Sequence, residues 1–239
     1  MRLLDLTLPT PEENLALDEA LLVDGAPPTL RLWESPTVFV VLGRSSRREE
    51  EVNLPACREQ GAGVYRRVSG GATILTGPGC LMYAVVLDLA ELPHLADLTR
   101  AHEHVLGRVA GALRRLEPTV APMGTSDLAV RRGGAARKVS GNSMRRTQSR
   151  LLYHGTLLYD FDLPLVGRLL GAAPRQPEYR RRRSHEEFVG NLRASAAQIK
   201  AALIDQWRAE HAAPNETLLR VTSRLVRDRY AKPEWNESR

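Results

Sequence analysis

Apolar residues recur along this chain in two rhythms, one helical and one alternating, and the switches between them divide it into elements. Thr10-Pro11-Glu12-Glu13 supplies a helix start: Thr10 can cap, Pro11 takes the first helical position, and Glu13 can close a capping box. Leu17, Ala20 and Leu21 then share one face, and Gly25 is the stop. Two β-rich runs, 29–33 and 37–42, are separated by a Ser35-Pro36 turn and read as a hairpin. Asn53 and Gly61 bracket a short helix, and strand-like runs at 64–67 and 81–87 flank a glycine loop. Leu98, Val105, Val109, Ala112 and Leu116 predict one apolar face of a longer helix over 98–116. Strand patterns at 127–130, 138–144 and 151–160 follow, then helical patterns near 194–212 and 217–230. Strands with interspersed, partly segregated helices predict an α/β (α+β) fold, a mixed β-sheet packed with helices. With no repeat and no long linker, residues 1–239 read as a single domain.

Composition narrows the class. A content of 43% hydrophobic and 26% charged residues is that of an ordinary globular protein, and no apolar run approaches the roughly 20 residues of a membrane span. The start Met1-Arg2-Leu3-Leu4-Asp5 has no apolar export core, so no membrane partner and a cytoplasmic location are expected. Cys57 and Cys80 are too far apart in sequence to form a metal-binding pair, and two cysteines do not make a disulfide framework. The net charge of +6 fits nucleic acid, an anionic nucleotide or an acidic protein. Its one basic run, Arg180 to Arg183, reads as a solvated surface, and no nucleic-acid motif accompanies it.

Lysine usage changes the picture further. Of 34 basic residues only three are lysines, and Lys138 sits in the polar, glycine-containing stretch Arg137-Lys138-Val139-Ser140-Gly141-Asn142. An ammonium is a compact point charge and a guanidinium a planar fork, so a lysine kept in an arginine-writing chain points to a site that needs the ammonium. Upstream, Tyr65-Arg66-Arg67-Val68-Ser69-Gly70-Gly71-Ala72-Thr73-Ile74 carries a strand end into a glycine loop that reads either as a plain turn or as an anion cradle with fork-shaped donors. It is neither a Walker loop nor a Rossmann fingerprint. Downstream, Asp127-Leu128 and Tyr153-His154-Gly155-Thr156 add a carboxylate and an imidazole within about thirty residues of Lys138. Asp127 as a turn cap and His154 as a structural residue are the alternatives.

Taken together, these segments resemble the lipoate-protein ligase A family, relatives of octanoyltransferases and biotin-protein ligases. The matching pieces are Asn14-Leu15-Ala16-Leu17-Asp18-Glu19, Arg66 to Gly71, Asp127-Leu128 leading to Arg137 to Gly141, His154 to Leu158, and the closing Tyr230 with Trp235-Asn236. The resemblance implies the biotin/lipoate protein ligase catalytic-domain type of fold. It also implies activation of lipoate with ATP and Mg²⁺ to lipoyl-AMP, followed by transfer of the lipoyl group to a lysine of an acidic lipoyl carrier domain. By matching position, Arg67 and the loop Ala72, Thr73, Ile74 and Leu75 would hold the nucleotide, with Ser69, Gly70, Gly71, Gly141 and His154 around it. Lys138 would contact adenylate and acyl carbonyl as the catalytic residue, and Asp127 would lie near the nucleotide and the metal. A fixed ammonium suits that chemistry, because negative charge grows on the carbonyl oxygen and the departing phosphate.

Departures from the family pattern bear on the nucleotide. The third glycine and the histidine of the first loop are replaced by Ala72 and Thr76, Ser126 stands for the usual Asn before Asp127, and Cys80 for an Asn after the Gly77-Pro78-Gly79 turn. The small C-terminal domain of full-length ligases is not in this sequence, and in two-piece members it is a separate accessory subunit needed for adenylation. Two alternatives stay open. A carrier-protein-dependent octanoyltransferase would use octanoate and a cysteine thioester, for which Cys80 is the candidate. A non-catalytic protein would bind the carrier without acyl transfer.

Overall fold

In the computed structural model, which describes residues 1–171 and 176–238, β1 (Arg2–Asp5) leads into α1 (Pro11–Val23) through the predicted cap. Glu13 N donates to Thr10 Oγ1 at 3.2 Å, and Thr10 N donates back to the Glu13 carboxylate at 2.9 Å. The helix is buried nearly all round: Asn14, Asp18 and Glu19 are buried with Leu17, Ala20 and Leu21. Its polar residues must therefore find partners inside the protein.

β2 (Thr29–Trp33) and β3 (Phe39–Leu42) do not form the predicted hairpin. β1 pairs with one edge of β2 in parallel and β6 (Cys80–Asp88) with the other in antiparallel, so β2 has no edge left for β3. β3 instead centres a three-stranded sheet between β4 (Gly63–Arg66) and β5 (Ile74–Thr76). Between β3 and β4 lie α2 (Arg48–Glu51) and α3 (Leu54–Gln60), the latter capped by Asn53 and ended by Gly61 at φ +68°.

After α4 (Leu98–Leu113), the strands β7 (Ala121–Met123), β8 (Asp127–Arg132), β9 (Ala135–Arg146) and β10 (Arg150–Leu158) complete a mixed sheet with β11 (Glu210–His211). Its order is β11-β1-β2-β6-β10-β9-β8-β7. Val105, Val109 and Ala112 of α4 are buried as predicted, but Leu98 is 58% exposed, because it opens the helix directly after the Asp97 cap and precedes the packed face. The remaining α-helices among the described residues are α5 (Pro164–Leu169), α6 (His185–Phe188), α7 (Ala196–Trp207), α8 (Glu216–Leu225) and α9 (Pro233–Asn236). β6 shows how the layers divide. Leu81, Tyr83, Val85 and Leu87 face the core under α4 and α7, while Ala84 and Val86 face α1 and α8. Met82 joins a third cluster with the small sheet. Among the described residues no helix is long and apolar enough to cross a membrane.

Two arginine-rich segments depart from simple surface character. Arg66 is fully buried and donates to the carbonyls of Gly43 (2.8 Å) and Ser46 (2.9 Å). The chain end clasps its backbone: Trp235 Nε1 donates to Arg66 O at 2.8 Å and Arg66 N to Asn236 Oδ1 at 2.9 Å. The run Arg180 to Arg183 is not uniformly solvated either, since Arg180 is buried and its guanidinium lies 5.1 Å from the Phe188 ring.

Candidate active site

A cavity of about 720 Å³ is lined by α1, the small sheet, the glycine loop and the site-facing residues of β8, β9 and β10. In its lining, Lys138 Nζ lies 2.7 Å from Asp127 Oδ1. The contact follows from strand register. Asp127 pairs with Gly141 and Ala129 with Lys138, with one extra residue accommodated in β9 at a bulge, so Lys138 and Asp127 project on the same face, diagonally opposed. Val139 turns the other way into the core. Tyr179 donates to the second Asp127 oxygen at 2.8 Å, and burial together with this carboxylate pushes the phenol's pKa well up.

Two glycines let neighbouring side chains approach closely. A β-carbon at Gly141 would meet Lys138 Cε and Nζ at 2.9 Å, and one at Gly155 would meet Asn142 Oδ1 at 1.8 Å. The space over Gly155 is what lets Asn142 Oδ1 accept from Tyr83 at 2.5 Å while its amide donates to Ser126 O at 2.8 Å. Asn142 thus ties the segment before Asp127 to the sheet.

The glycine loop is organised by side chains that the sequence suggested for anion binding. Arg67 donates through Nε to Ser69 Oγ (3.0 Å), through Nη2 to Gly70 O (2.5 Å) and Ala72 O (3.0 Å), and through Nη1 to Val41 O (3.3 Å). Of its five donor hydrogens one, on Nη1, has no partner among the described residues. Burial pushes this guanidinium down to about 10, Glu51 opposing, so it is charged at neutral pH. Buried Glu51 accepts from Arg47 N, Ser46 Oγ, Thr73 N and Thr73 Oγ1, which stitches α2 to the loop. Two backbone donors that could have cradled an anion are satisfied there from within.

Behind the loop runs a buried relay. Ser69 Oγ lies 2.6 Å from His154 Nε2, and His154 Nδ1 lies 3.1 Å from Asp18 Oδ2. Every proton is used when His154 carries its hydrogen on Nδ1, because a carboxylate only accepts. Arg31 closes the line with 2.6 Å contacts to Asp18 Oδ1 and Asn14 Oδ1. Burial raises the Asp18 pKa, but the Arg31 charge and the His154 bond outweigh it and hold the carboxyl below 3.8.

The cavity also has an apolar lining, formed by Leu15, Val41, Ile74 and Met82, which belong to one hydrophobic cluster. A molecule with an apolar tail and a polar, acyl-bearing head fits this polarity. Of the three donors of the ammonium Asp127 takes one, which leaves Lys138 able to stabilise charge on an acyl oxygen or a phosphate. Among the described residues no cluster of three or more His, Cys, Asp or Glu gathers to hold a metal. Asp127, with a lone pair on each oxygen that no described residue uses, fits the one-carboxylate role in a Mg²⁺ site completed by phosphates and water. Neither cysteine lines the cavity; Cys80 is fully buried, and desolvation pushes its thiol up to about 12.

The structure brings Arg67, Gly71, Ala72, Thr73, Ile74, Asp127, Lys138, Gly141 and His154 to this one cavity. Ser69 and Gly70 stand just behind it, bonded to His154 and Arg67. Leu75 does not reach it: alternation along β5 turns that side chain into the small-sheet core, where it is 4% exposed. Of the apolar lining, sequence reasoning named Ile74 as a site residue but missed Val41 and Met82, and it missed Glu51 and Tyr179. Leu15 and Asp18, both inside the Asn14-to-Glu19 motif, had a local signal.

The chain is 27% identical to the octanoyltransferase LipM of Moorella thermoacetica, covering 100% of this chain and 98% of the relative. It is 30% identical to LipM of Symbiobacterium thermophilum, over 84% of this chain and 78% of the relative. A solved structure of an archaeal lipoylation system, a bi-partite lipoate protein ligase and its E2 lipoyl domain from Thermoplasma acidophilum, superimposes with a TM-score of 0.86 at 25% identity, over 99% of this chain and 95% of that one. The family model of the lipoyl protein ligase A/B catalytic domain matches residues 10–208. The chain therefore belongs to the lipoyl protein ligase A/B catalytic domain family.

Proposed function

We propose that the chain is a lipoate-protein ligase catalytic domain that passes a lipoyl group from lipoyl-AMP to a lysine of a lipoyl carrier domain. The observation that carries this reading is the Lys138 ammonium, paired with Asp127 at 2.7 Å in a cavity that neither cysteine lines. The incoming carrier amine attacks the acyl carbonyl, the bond to the adenylate oxygen breaks, AMP leaves with the electron pair, and the nitrogen gives up one proton to solvent. Negative charge gathers on the carbonyl oxygen and then on the phosphate, and Lys138 can serve both. Leu15, Val41, Ile74 and Met82 would hold the acyl tail. ATP and Mg²⁺ would be needed only to make the adenylate, with Asp127 as the metal's carboxylate. Because the archaeal relative is described as bi-partite, a second polypeptide is the proposed partner for that adenylation step.

The similarity to proteins named octanoyltransferase LipM favours a second reading, transfer of octanoate from an acyl carrier protein. A cysteine thioester route needs a thiolate at the acyl group, and the buried Cys80 is held protonated and away from the cavity. Intact mass of a purified carrier domain decides between the two. It would be incubated with this protein and, in separate samples, with lipoate plus ATP and Mg²⁺, preformed lipoyl-AMP, or octanoyl carrier protein. A shift with lipoyl-AMP supports the ligase reading, a shift with octanoyl carrier protein alone replaces it, and no shift in any sample leaves carrier binding without chemistry.

A further inference from the structure

Residues 177–190 are fastened to the site strands at several points. Tyr179 donates to Asp127, Arg183 Nη1 donates to the Ala136 carbonyl at 2.7 Å, and Gly190 N donates to the Lys138 carbonyl at 2.9 Å. Between the first two anchors stand Arg181 and Arg182. Both are exposed, and among the described residues neither side chain makes a hydrogen bond or ion pair.

Their backbone is unusual. φ is +50° at Arg181 and +58° at Arg182, two consecutive left-handed residues that both carry long side chains. Such a conformation persists only where neighbouring contacts over-determine it. Here the flanking arginines do so. Arg180 Nε donates to Arg183 O and Arg183 Nε to Arg180 O, each at 3.0 Å, and their guanidinium groups lie 5.1 and 5.4 Å from the Phe188 ring. This reciprocal clasp pins the ends of the turn and presents the two central side chains to solvent. Glycine would hold the turn without strain, so its occupation by two unpartnered arginines points to work done by their charge.

We infer that Arg181 and Arg182 are the contact by which the chain recognises an acidic carrier protein, an inference that rests on the proposed transfer to such a carrier. Their place fits: Tyr179, two residues before Arg181, touches the carboxylate that holds Lys138, so a protein seated on the pair lies beside the cavity. The chain's net charge of +6 matches an acidic partner, and charge of this kind acts mainly on encounter rate and selectivity. The nearby exposed acids Glu178, Glu186 and Glu187 reduce the local potential without reversing it, because Glu187 is spent on the Ser184 cap and Arg137, Arg181, Arg182 and Arg183 surround them.

The test is binding of a fluorescently labelled, purified lipoyl-type carrier domain, followed by anisotropy, alongside acylation of the same domain from lipoyl-AMP. Arg181→Glu with Arg182→Glu should weaken binding roughly tenfold or more at about 50 mM salt, with the gap closing near about 0.5 M. Arg181→Gly with Arg182→Gly relieves the backbone, so it should melt no lower than the parent and still bind weakly; Arg181→Lys with Arg182→Lys should keep binding. Lipoate uptake in the cavity should be the same in all. If the parent acylates the carrier and the charge-reversed protein binds it equally well, the inference fails alone. A parent that neither binds nor acylates the carrier removes the functional reading and this one together. Loss of affinity for an RNA oligonucleotide but not for the carrier assigns the pair to nucleic acid and overturns the inference.

Discussion

A β-carbon on Gly141 would stand 2.9 Å from the Nζ of Lys138. The glycine of the Lys-Val-Ser-Gly stretch is therefore part of the lysine's seat, since the ammonium lies over it on the way to Asp127. Gly141→Ala should fold, because the atom it meets is the end of a flexible side chain and alanine is the better strand residue by roughly 0.5–1 kcal/mol. Acyl transfer should fall by up to about 100-fold, the scale of a 1 Å misplacement. Thermal melting and single-turnover transfer measured on one preparation separate the two effects.

Lys138→Met should reduce transfer from lipoyl-AMP by about 10²–10³, the usual loss when one preorganised donor is removed. Lys138→Arg should not restore it, because a planar fork over Gly141 cannot place a point charge between Asp127 and the acyl group. Rates set against the circular dichroism of each variant test this; parental activity in either would remove Lys138 from the chemistry.

Asp18→Asn leaves Arg31 buried without its counter-charge and should destabilise the protein by about 3–5 kcal/mol. The same pair sets an acid limb. The folded Asp18 pKa lies below its ordinary 3.8, so its contribution is complete above that value and is lost as pH falls through the lower, folded one. A melting series from neutral pH downward should show the parent losing stability below pH 3.8 more steeply than the variant.

Cys80→Ala should keep transfer from lipoyl-AMP near the parental rate and lower stability by about 1 kcal/mol, the ordinary size for a point substitution. The thiol is fully buried and held protonated at neutral pH, so it offers no nucleophile. A thioester adduct on Cys80, sought by peptide mass spectrometry after incubation with octanoyl carrier protein, is the result that would overturn this.

What the sequence made legible was local. Thr10 and Glu13 start their helix with atoms three residues apart, and Asn53 and Gly61 bracket theirs in the same way. The hairpin reading failed for the opposite reason: β2 and β3 are adjacent in sequence, but their partners are fixed by β1 and β6 on one side and β4 and β5 on the other. At the site, Asp127, Lys138 and His154 stood out by chemical type and motif. Tyr179 reaches Asp127 across 52 residues and His154 reaches Asp18 across 136, distances at which spacing carries no signal. Arg67 shows a different limit. Its residue type suggested an anion ligand, yet three nearby carbonyls and the Ser69 hydroxyl took four of its five donors, and only the folded loop determines that allotment.

The clasp of Trp235 and Asn236 on Arg66 has a consequence in time. These partners are 170 residues apart, so at roughly 5–20 residues per second the strand leading into the glycine loop waits on the order of ten to thirty seconds for its backing during synthesis. A nascent chain thus carries its arginine-glycine segment before it can be braced, and the ribosome must deliver α9 before the Arg66 backbone gains these two partners.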